Sequence, residues 1–190
     1  YPNSWSSFGP ALQGQEVRWW DGEVRPWSPQ PGNYAALFTG GYTKSIETAV
    51  MHGGAHHTAR VSYNFMDHAG IWPGSRYQRH AFGVRSNSRI TKQLRAGFSA
   101  RYMHSDVLNP PPALDLITGY GFPRSARTDL LEQHYKRPDG FLVSAADAPH
   151  ISYRNPMRLL WNTRENSYGN QRNRLLAITN VQYALTDWLD

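Results

Sequence analysis

Residues 58–65 read TARVSYNF, and apolar and polar side chains alternate along them. The apolar members are Ala59, Val61, Tyr63 and Phe65. Side chains of a β-strand point alternately to opposite faces of the sheet, so this pattern predicts a strand with one apolar and one polar face. Residues 94–102, LRAGFSARY, repeat the pattern. These two stretches indicate an antiparallel, all-β chain.

Weaker alternation on either side completes the prediction. We expect five antiparallel strands near residues 43–53, 57–67, 76–90, 92–105 and 172–186. The glycine pair Gly53-Gly54 suits a tight turn between the first two strands. Short turns then lie at one end of the sheet. The segments 1–42, 67–76 and 105–171 lie at the other end.

The composition narrows the class of protein. The chain has 190 residues, a formal net charge of +6, 13% aromatic residues and 18% charged residues. It has no cysteine, which excludes a disulfide scaffold and thiolate chemistry. Few charges, many aromatic rings and long loops alternating with short turns are typical of a membrane β-barrel. A secreted carbohydrate-binding β-sandwich, or another non-enzymatic binding module, is the alternative.

The predicted organisation covers the whole chain, residues 1–190, as part of one barrel. Residues 1–42 are an extracellular loop, 43–104 hold four strands, 105–171 form a long extracellular loop, and 172–190 are a strand and a periplasmic turn. The long loop begins with Pro110-Pro111-Pro112 and contains many apolar residues, so we expect it to be ordered. Residues 125–135 have the composition of a short helix.

Short motifs, in order along the chain, resemble the SusC/RagA family of TonB-linked outer-membrane transporters at the point where the barrel begins. They are Arg18-Trp19-Trp20-Asp21, Pro29-Gln30-Pro31 before Asn33, Leu37-Phe38 before Gly41-Tyr42-Thr43, Gly53-Gly54, Arg60-Val61-Ser62-Tyr63, Gly70-Ile71-Trp72-Pro73, Arg79, Asn109-Pro110 and Thr186-Asp187-Trp188-Leu189. The chain departs from the family at His52, where a small residue is usual, and at Gly74, where asparagine is common.

The resemblance implies a fold, a location and partners. The chain would be a segment of a transmembrane barrel of about 22 strands, in the outer membrane of a Gram-negative bacterium. It would import an oligosaccharide or a peptide with energy from the TonB complex. A SusD-like surface lipoprotein would cover the barrel, and outer-membrane lipid would surround it.

Aromatic residues in the predicted loops are candidates for contact with cargo or partner, because flat apolar rings stack on sugars and are favoured at interfaces. They are Trp5, Trp19, Trp20, Trp27, Tyr34, Trp72, Tyr120, Tyr153 and Trp161. Within the strands, Tyr63, Phe65, Tyr77 and Tyr102 are expected to form an aromatic girdle at the long-loop end.

We expect the two faces of the strands to lie in different environments. The residues expected to face lipid are Ala59, Val61, Tyr63, Phe65, Leu94, Ala96, Phe98, Leu175, Val181 and Tyr183. The residues expected to face the lumen or a plug domain are Arg60, Arg79, Arg85, Arg95 and Arg101. Nucleic acid is not an expected partner, because base stacking over a positive groove would need arginines and aromatic rings on one face.

No enzymatic motif is present in the sequence. It contains no nucleophile elbow, no zinc-protease helix motif and no phosphate-binding loop. We therefore expect a non-enzyme with no catalytic residues, no metal and no cofactor.

Overall fold

The computed structural model describes residues 11–19, 22–111, 124–143 and 156–185. They divide into two compact units. The sheet unit comprises Tyr42–Ala69, Arg76–Leu108 and the described residues from Gly169 onward. The loop unit comprises the described residues of 11–41, Gly70–Ser75 and 109–168. Each unit has its own packing and is described by itself.

Seven strands and two α-helices occur in the described residues. The strands are β1 (Glu16–Arg18), β2 (Val24–Pro26), β3 (Tyr42–Gly53), β4 (His57–Ala69), β5 (Arg76–Arg89), β6 (Leu94–Leu108) and β7 (Gly169–Tyr183). The helices are α1 (Thr128–His134) and α2 (Pro156–Arg164). None of these helices has the length and apolar character to cross a membrane.

The sheet unit is a single antiparallel layer in the order β3-β4-β5-β6-β7. Each strand pairs with the next one along the chain, as in Val50↔Val61 and Val61↔Val84. Gly54 closes the first short turn by donating its N–H to the carbonyl of His57 at 2.7 Å. Among the described residues, β3 and β7 are paired on one side only, so the sheet is open.

The five predicted strands are confirmed, although several run further than predicted. β4 continues to Ala69 and β6 to Leu108, whereas β7 both begins and ends three residues early, at Gly169 and Tyr183. The extra residues include Asp106, Gln171 and Asn170, which are polar and give no alternation of apolar and polar character. Ladder hydrogen bonds continue through them, because pairing depends on the backbone and not on hydrophobicity.

The prediction that residues 1–42 form an irregular loop is wrong for residues 16–18 and 24–26. β1 and β2 form an antiparallel hairpin there, with Val17 opposite Arg25. Its strands have three residues each, too few for periodicity to be recognised. A single 3₁₀ turn follows at Ala35–Leu37.

The loop unit has a hydrophobic core of its own. Leu37, Leu131, Met157 and Leu160 are buried together. Partly buried Phe38, Tyr135, Leu142 and Val143 pack around them. The helix predicted near 125–135 is confirmed as α1, and α2 was not predicted. The expectation that segment 105–171 is ordered is confirmed for its described part.

Hydrogen bonds join distant parts of the chain within the loop unit. Asn33 donates its side-chain amide to the carbonyl of Ala126 at 3.0 Å, and Thr128 donates its hydroxyl to the carbonyl of Asn33. Thr39 donates its backbone N–H to the carbonyl of Ile71 at 2.8 Å. The three loops are therefore one folded structure.

The turn of Gly70–Ser75 requires a left-handed residue. Gly74 has φ = +74°, a conformation that residues with a Cβ adopt rarely. Asparagine tolerates this conformation better than other residues do. Glycine and asparagine are therefore both compatible with the backbone at position 74.

Candidate functional site

One face of the sheet is apolar and exposed. Strand register places all ten residues predicted to face lipid on this face. None of them is buried: Leu175 is 70% exposed, and the neighbouring Val50 of β3 is 72% exposed. The described residues of the sheet unit contain no second sheet that could cover this face. The sheet unit therefore lacks the buried face that a β-sandwich would have.

The opposite face is polar and positively charged. The five predicted arginines, Arg60, Arg79, Arg85, Arg95 and Arg101, all lie on it, as expected from their spacing. The register also places Arg89, Arg172 and Arg174 on this face. The alternation in residues 77–90 already puts Arg89 opposite the apolar side chains, whereas the sequence reasoning missed Arg172 and Arg174. Counting positions from the known strand ends would have found them.

Few of these arginines have a partner within the sheet unit. Arg60 lies 3.5 Å from Glu47, and Arg79 donates to the side-chain oxygen of Asn64 at 3.1 Å. Glu47 is the only acidic residue on the polar face of the five described strands. The positive charge of this face is therefore largely uncompensated within the five described strands.

One aromatic residue lies on the wrong face for the predicted girdle. Tyr77 pairs with His68 and Val107 on the polar face, whereas Tyr63, Phe82 and Tyr102 share a row of the apolar face. The rings of Tyr63 and Phe82 lie 4.8 Å apart. Of the four residues predicted for the girdle, Tyr63, Phe65 and Tyr102 therefore share the apolar face, and Tyr77 does not.

A polar border ends the apolar face where the long connections begin. Arg76 binds both oxygens of the buried Asp67 carboxylate, at 2.8 and 3.0 Å, and Tyr42 donates its hydroxyl to the same group at 3.1 Å. His104 pairs with Asp106 at 2.9 Å on the same face. The sequence reasoning missed this border because it searched for apolar residues only. The border could have been recognised from polar residues at alternate positions that continue the apolar face of the strand.

The loop aromatics differ in how far they are buried. Trp72 is 5% exposed and meets the ring of Phe38 edge-on at 5.1 Å, so packing accounts for it. The rings of Trp19 and Trp27 lie 6.0 Å apart, and Trp161 is partly buried. Tyr34 is 39% exposed, and its ring meets that of Phe38 edge-on at 5.2 Å. The candidates Trp5, Trp20, Tyr120 and Tyr153 lie outside the described residues.

The loop unit contains a cleft of about 610 Å³. Its walls come from all three segments of the unit and include Phe38, Thr39, Asn109, Tyr135, Arg164 and Glu165. Two partly buried aromatic rings thus stand beside a carboxylate, a guanidinium and an amide. This combination suits a ligand with both apolar faces and hydroxyl groups.

Hydrogen bonds hold the charged groups of the cleft in place. Lys136 and Tyr135 donate to the two oxygens of Glu165, at 2.8 and 2.7 Å. These bonds, with Lys136 contributing most, lower the pKa of the Glu165 carboxyl below its usual value. Arg164 is paired with Glu132. These pairings fix the positions of the charged groups that line the cleft.

The described residues offer no place for a metal ion of the usual kind. No three His, Asp or Glu side chains come together among them.

Neither a scan against models of known protein families nor a search of curated proteins matches this chain.

Proposed function

We propose that this chain forms part of the wall of a TonB-dependent outer-membrane transporter of the SusC/RagA type. In this proposal it imports an oligosaccharide or a peptide into a Gram-negative bacterium. The observation that carries the proposal is a single antiparallel sheet with one exposed apolar face and one arginine-rich face. All its short turns lie at one end and all its long connections at the other.

The free-energy cost of exposing apolar surface to water supports a lipid environment for the apolar face of the sheet. Transfer of apolar surface out of water is worth about 25 cal/mol per Å². The exposed face includes Ile46, Val50, Val61, Phe82, Val84, Phe98, Leu175 and Val181. Soluble monomers rarely expose so large a continuous apolar patch. Lipid tails would cover it without any second sheet.

The polar face supports the same arrangement. A Lys or Arg facing lipid at mid-bilayer costs roughly 2–4 kcal/mol, whereas one facing the interior of a barrel does not. Eight of the nine arginines of the five strands lie on the interior side in this proposal, and the ninth, Arg76, belongs to the polar border. The open edges at β3 and β7 would pair with further strands, because unpaired backbone groups are not tolerated in lipid.

The folded loop unit supports a role in recognition. Its cleft and its exposed Tyr34 are the surfaces proposed to contact cargo or a SusD-like lipoprotein. Both the lipoprotein and the TonB complex come from the family resemblance.

Cysteine labelling tests the wall directly, because the chain has no native cysteine. Val61→Cys and Ser62→Cys are a matched pair of neighbours on opposite faces. A spin label at position 61 of the membrane-embedded protein should be accessible to oxygen dissolved in lipid. A label at position 62 should be accessible to a water-soluble nickel reagent. Equal accessibility at both positions, or a protein that stays soluble without detergent, would reject the wall and favour a soluble binding module.

A second experiment tests the transport step. Uptake of the cargo by cells should require both this protein and an intact TonB complex. Uptake that continues when TonB is deleted would contradict the proposal.

A further inference from the structure

The arginines of the polar face form a ladder along the strands. Successive rows of the face lie about 6.7 Å apart. They contain Arg79 with Arg172, then Arg174, then Arg101, then Arg60 with Arg85, then a row with Asn87 and Asn180 but no arginine, and finally Arg89 with Arg95. From Arg79 to Arg89 along β5 the ladder spans about 33 Å. Guanidinium groups therefore occur at nearly every level of the sheet.

Two of these rows place like charges side by side. Arg60 is directly opposite Arg85, and Arg89 is directly opposite Arg95. Like charges directly opposite each other destabilise an antiparallel sheet. Within the described residues, Arg85, Arg95 and Arg101 have no ion-pair partner. A bound anion would remove this repulsion.

We propose that the polar face binds an acidic oligosaccharide, a linear sugar chain that carries carboxylates, as the cargo of the transporter. This inference rests on the proposed function and names its substrate class. Guanidinium groups bind carboxylates through paired, charge-assisted hydrogen bonds. A ladder with several weak sites, rather than one deep site, lets a charged chain move from one level to the next.

The residues between the arginines favour a sugar over a peptide. They are rich in amides and hydroxyls, which bond to sugar hydroxyl groups. These residues are Ser62, Asn64, Asn87, Ser99, Asn180 and Gln182. Tyr77 is the only Phe, Tyr or Trp on the polar face of the five strands, so the aromatic side chains of a peptide would meet a single ring there. The exposed large aliphatic side chains of this face are Met51, Leu176 and Ile178.

One depression of the sheet fits the end of such a ladder. It measures about 310 Å³ and is lined by Asn87, Arg89, Arg95, Asn180 and Gln182, among others. It lies at the short-turn end and contains no acidic residue. A carboxylate there would meet two guanidinium groups and three amides.

Binding measurements on the detergent-purified full-length protein test the inference. The probes are an oligogalacturonate, a neutral oligosaccharide of the same length and an oligoglutamate peptide. The variants are Arg60→Gln/Arg85→Gln and Arg89→Gln/Arg95→Gln. The control, Lys44→Gln/Lys92→Gln, removes two charges from the apolar face and from a short turn.

We expect the oligogalacturonate to bind, and each arginine double variant to weaken its binding about tenfold. The control should bind as the wild type does. Raising the salt from about 0.1 M to about 1 M, which shortens the Debye length from about 10 Å to about 3 Å, should weaken binding in the wild type more than in the variants. Heat-modified electrophoretic migration will show that each variant is folded.

Three outcomes would overturn the inference. They are tighter binding of the neutral sugar, tighter binding of the oligoglutamate, and equal affinity in the arginine variants and the control. A protein that passes the cysteine-labelling and TonB experiments but gives one of these outcomes is a transporter of another cargo. Failure of those two experiments would instead reject the proposed function itself.

Discussion

The sheet unit and the loop unit differ in how far their apolar side chains are exposed. In the sheet unit, Val50 and Leu175 are 72% and 70% exposed, and the strands are joined by backbone hydrogen bonds. In the loop unit, Met157 and Leu160 are 0% and 2% exposed and hold two helices together. The loop unit can therefore be stabilised by its own core in water. The sheet unit leaves its apolar face exposed, and in the proposed function lipid covers it.

The largest expected effect is on the core of the loop unit. Leu160→Ala should lower the free energy of unfolding of that unit by about 2–5 kcal/mol, because it leaves a cavity among Leu37, Leu131 and Met157. Hydrogen exchange of the amides of α1 and α2 will measure the loss. The control Val50→Ala, at an exposed site, should change local stability by less than about 0.5 kcal/mol. Equal effects of the two substitutions would abolish the contrast between the units.

A second experiment sharpens the contrast between the two faces of the sheet. Val61→Lys places a charge on the apolar face and should destabilise the membrane-inserted protein by about 2–4 kcal/mol. Ser62→Lys places it one residue along on the polar face and should have a much smaller effect. Folding into lipid vesicles, followed by denaturant titration, gives both values. The prediction is wrong if Ser62→Lys is the more damaging change.

The polar face is tightly packed at one position, and a smaller effect is expected there. A Cβ at Gly97 would lie 2.2 Å from the side-chain oxygen of Asn180. Gly97→Ala should therefore cost about 1–3 kcal/mol through overpacking. Gly53→Ala, which meets nothing within 4 Å, is the control. The double variant Gly97→Ala/Asn180→Ala should recover most of the loss. Failure to recover would place the strain elsewhere.

The smallest expected effect is a pH dependence confined to the loop unit. The pKa of Glu165 is lowered in the folded state by Lys136 and Tyr135. The stabilisation is therefore complete above the unfolded pKa and is lost as the pH falls through the folded pKa. Because Glu165 and Lys136 are exposed, solvent screens the effect.

Proteolysis of the loop unit at pH 7 and at pH 4 will measure this dependence. Glu165→Gln should be less stable than the wild type at pH 7 and should change less on acidification. A variant with the acid sensitivity of the wild type would show that another group is responsible.

Much of the fold could be read from the sequence because alternation is a local property. Residues 58–65 and 94–102 predicted strands, their two faces and the positions of three of the five arginines, and the register agrees. The strand ends were missed at Asp106 and Asn170, where pairing continues through polar residues. The hairpin of β1 and β2 was missed because its strands have three residues each, and helix α2 was not predicted.

The candidate site was predicted less completely, because it depends on contacts between distant residues. Trp72 and Tyr34 look alike in the sequence, yet Trp72 is buried and Tyr34 is partly exposed. Nothing local to Glu165 indicates that Lys136 and Tyr135 donate to it across about thirty residues of chain. The cleft exists only because three separate segments pack together.

The sequence by itself determined the strands, the apolar and polar faces and the positive charge, because side-chain direction in a strand follows from position alone. Only the tertiary structure decided which strands pair, which arginines stand opposite each other and which loop aromatics are buried. Those properties depend on register and on packing between segments far apart in the chain. The periodicity of one segment does not indicate which other segment packs against it.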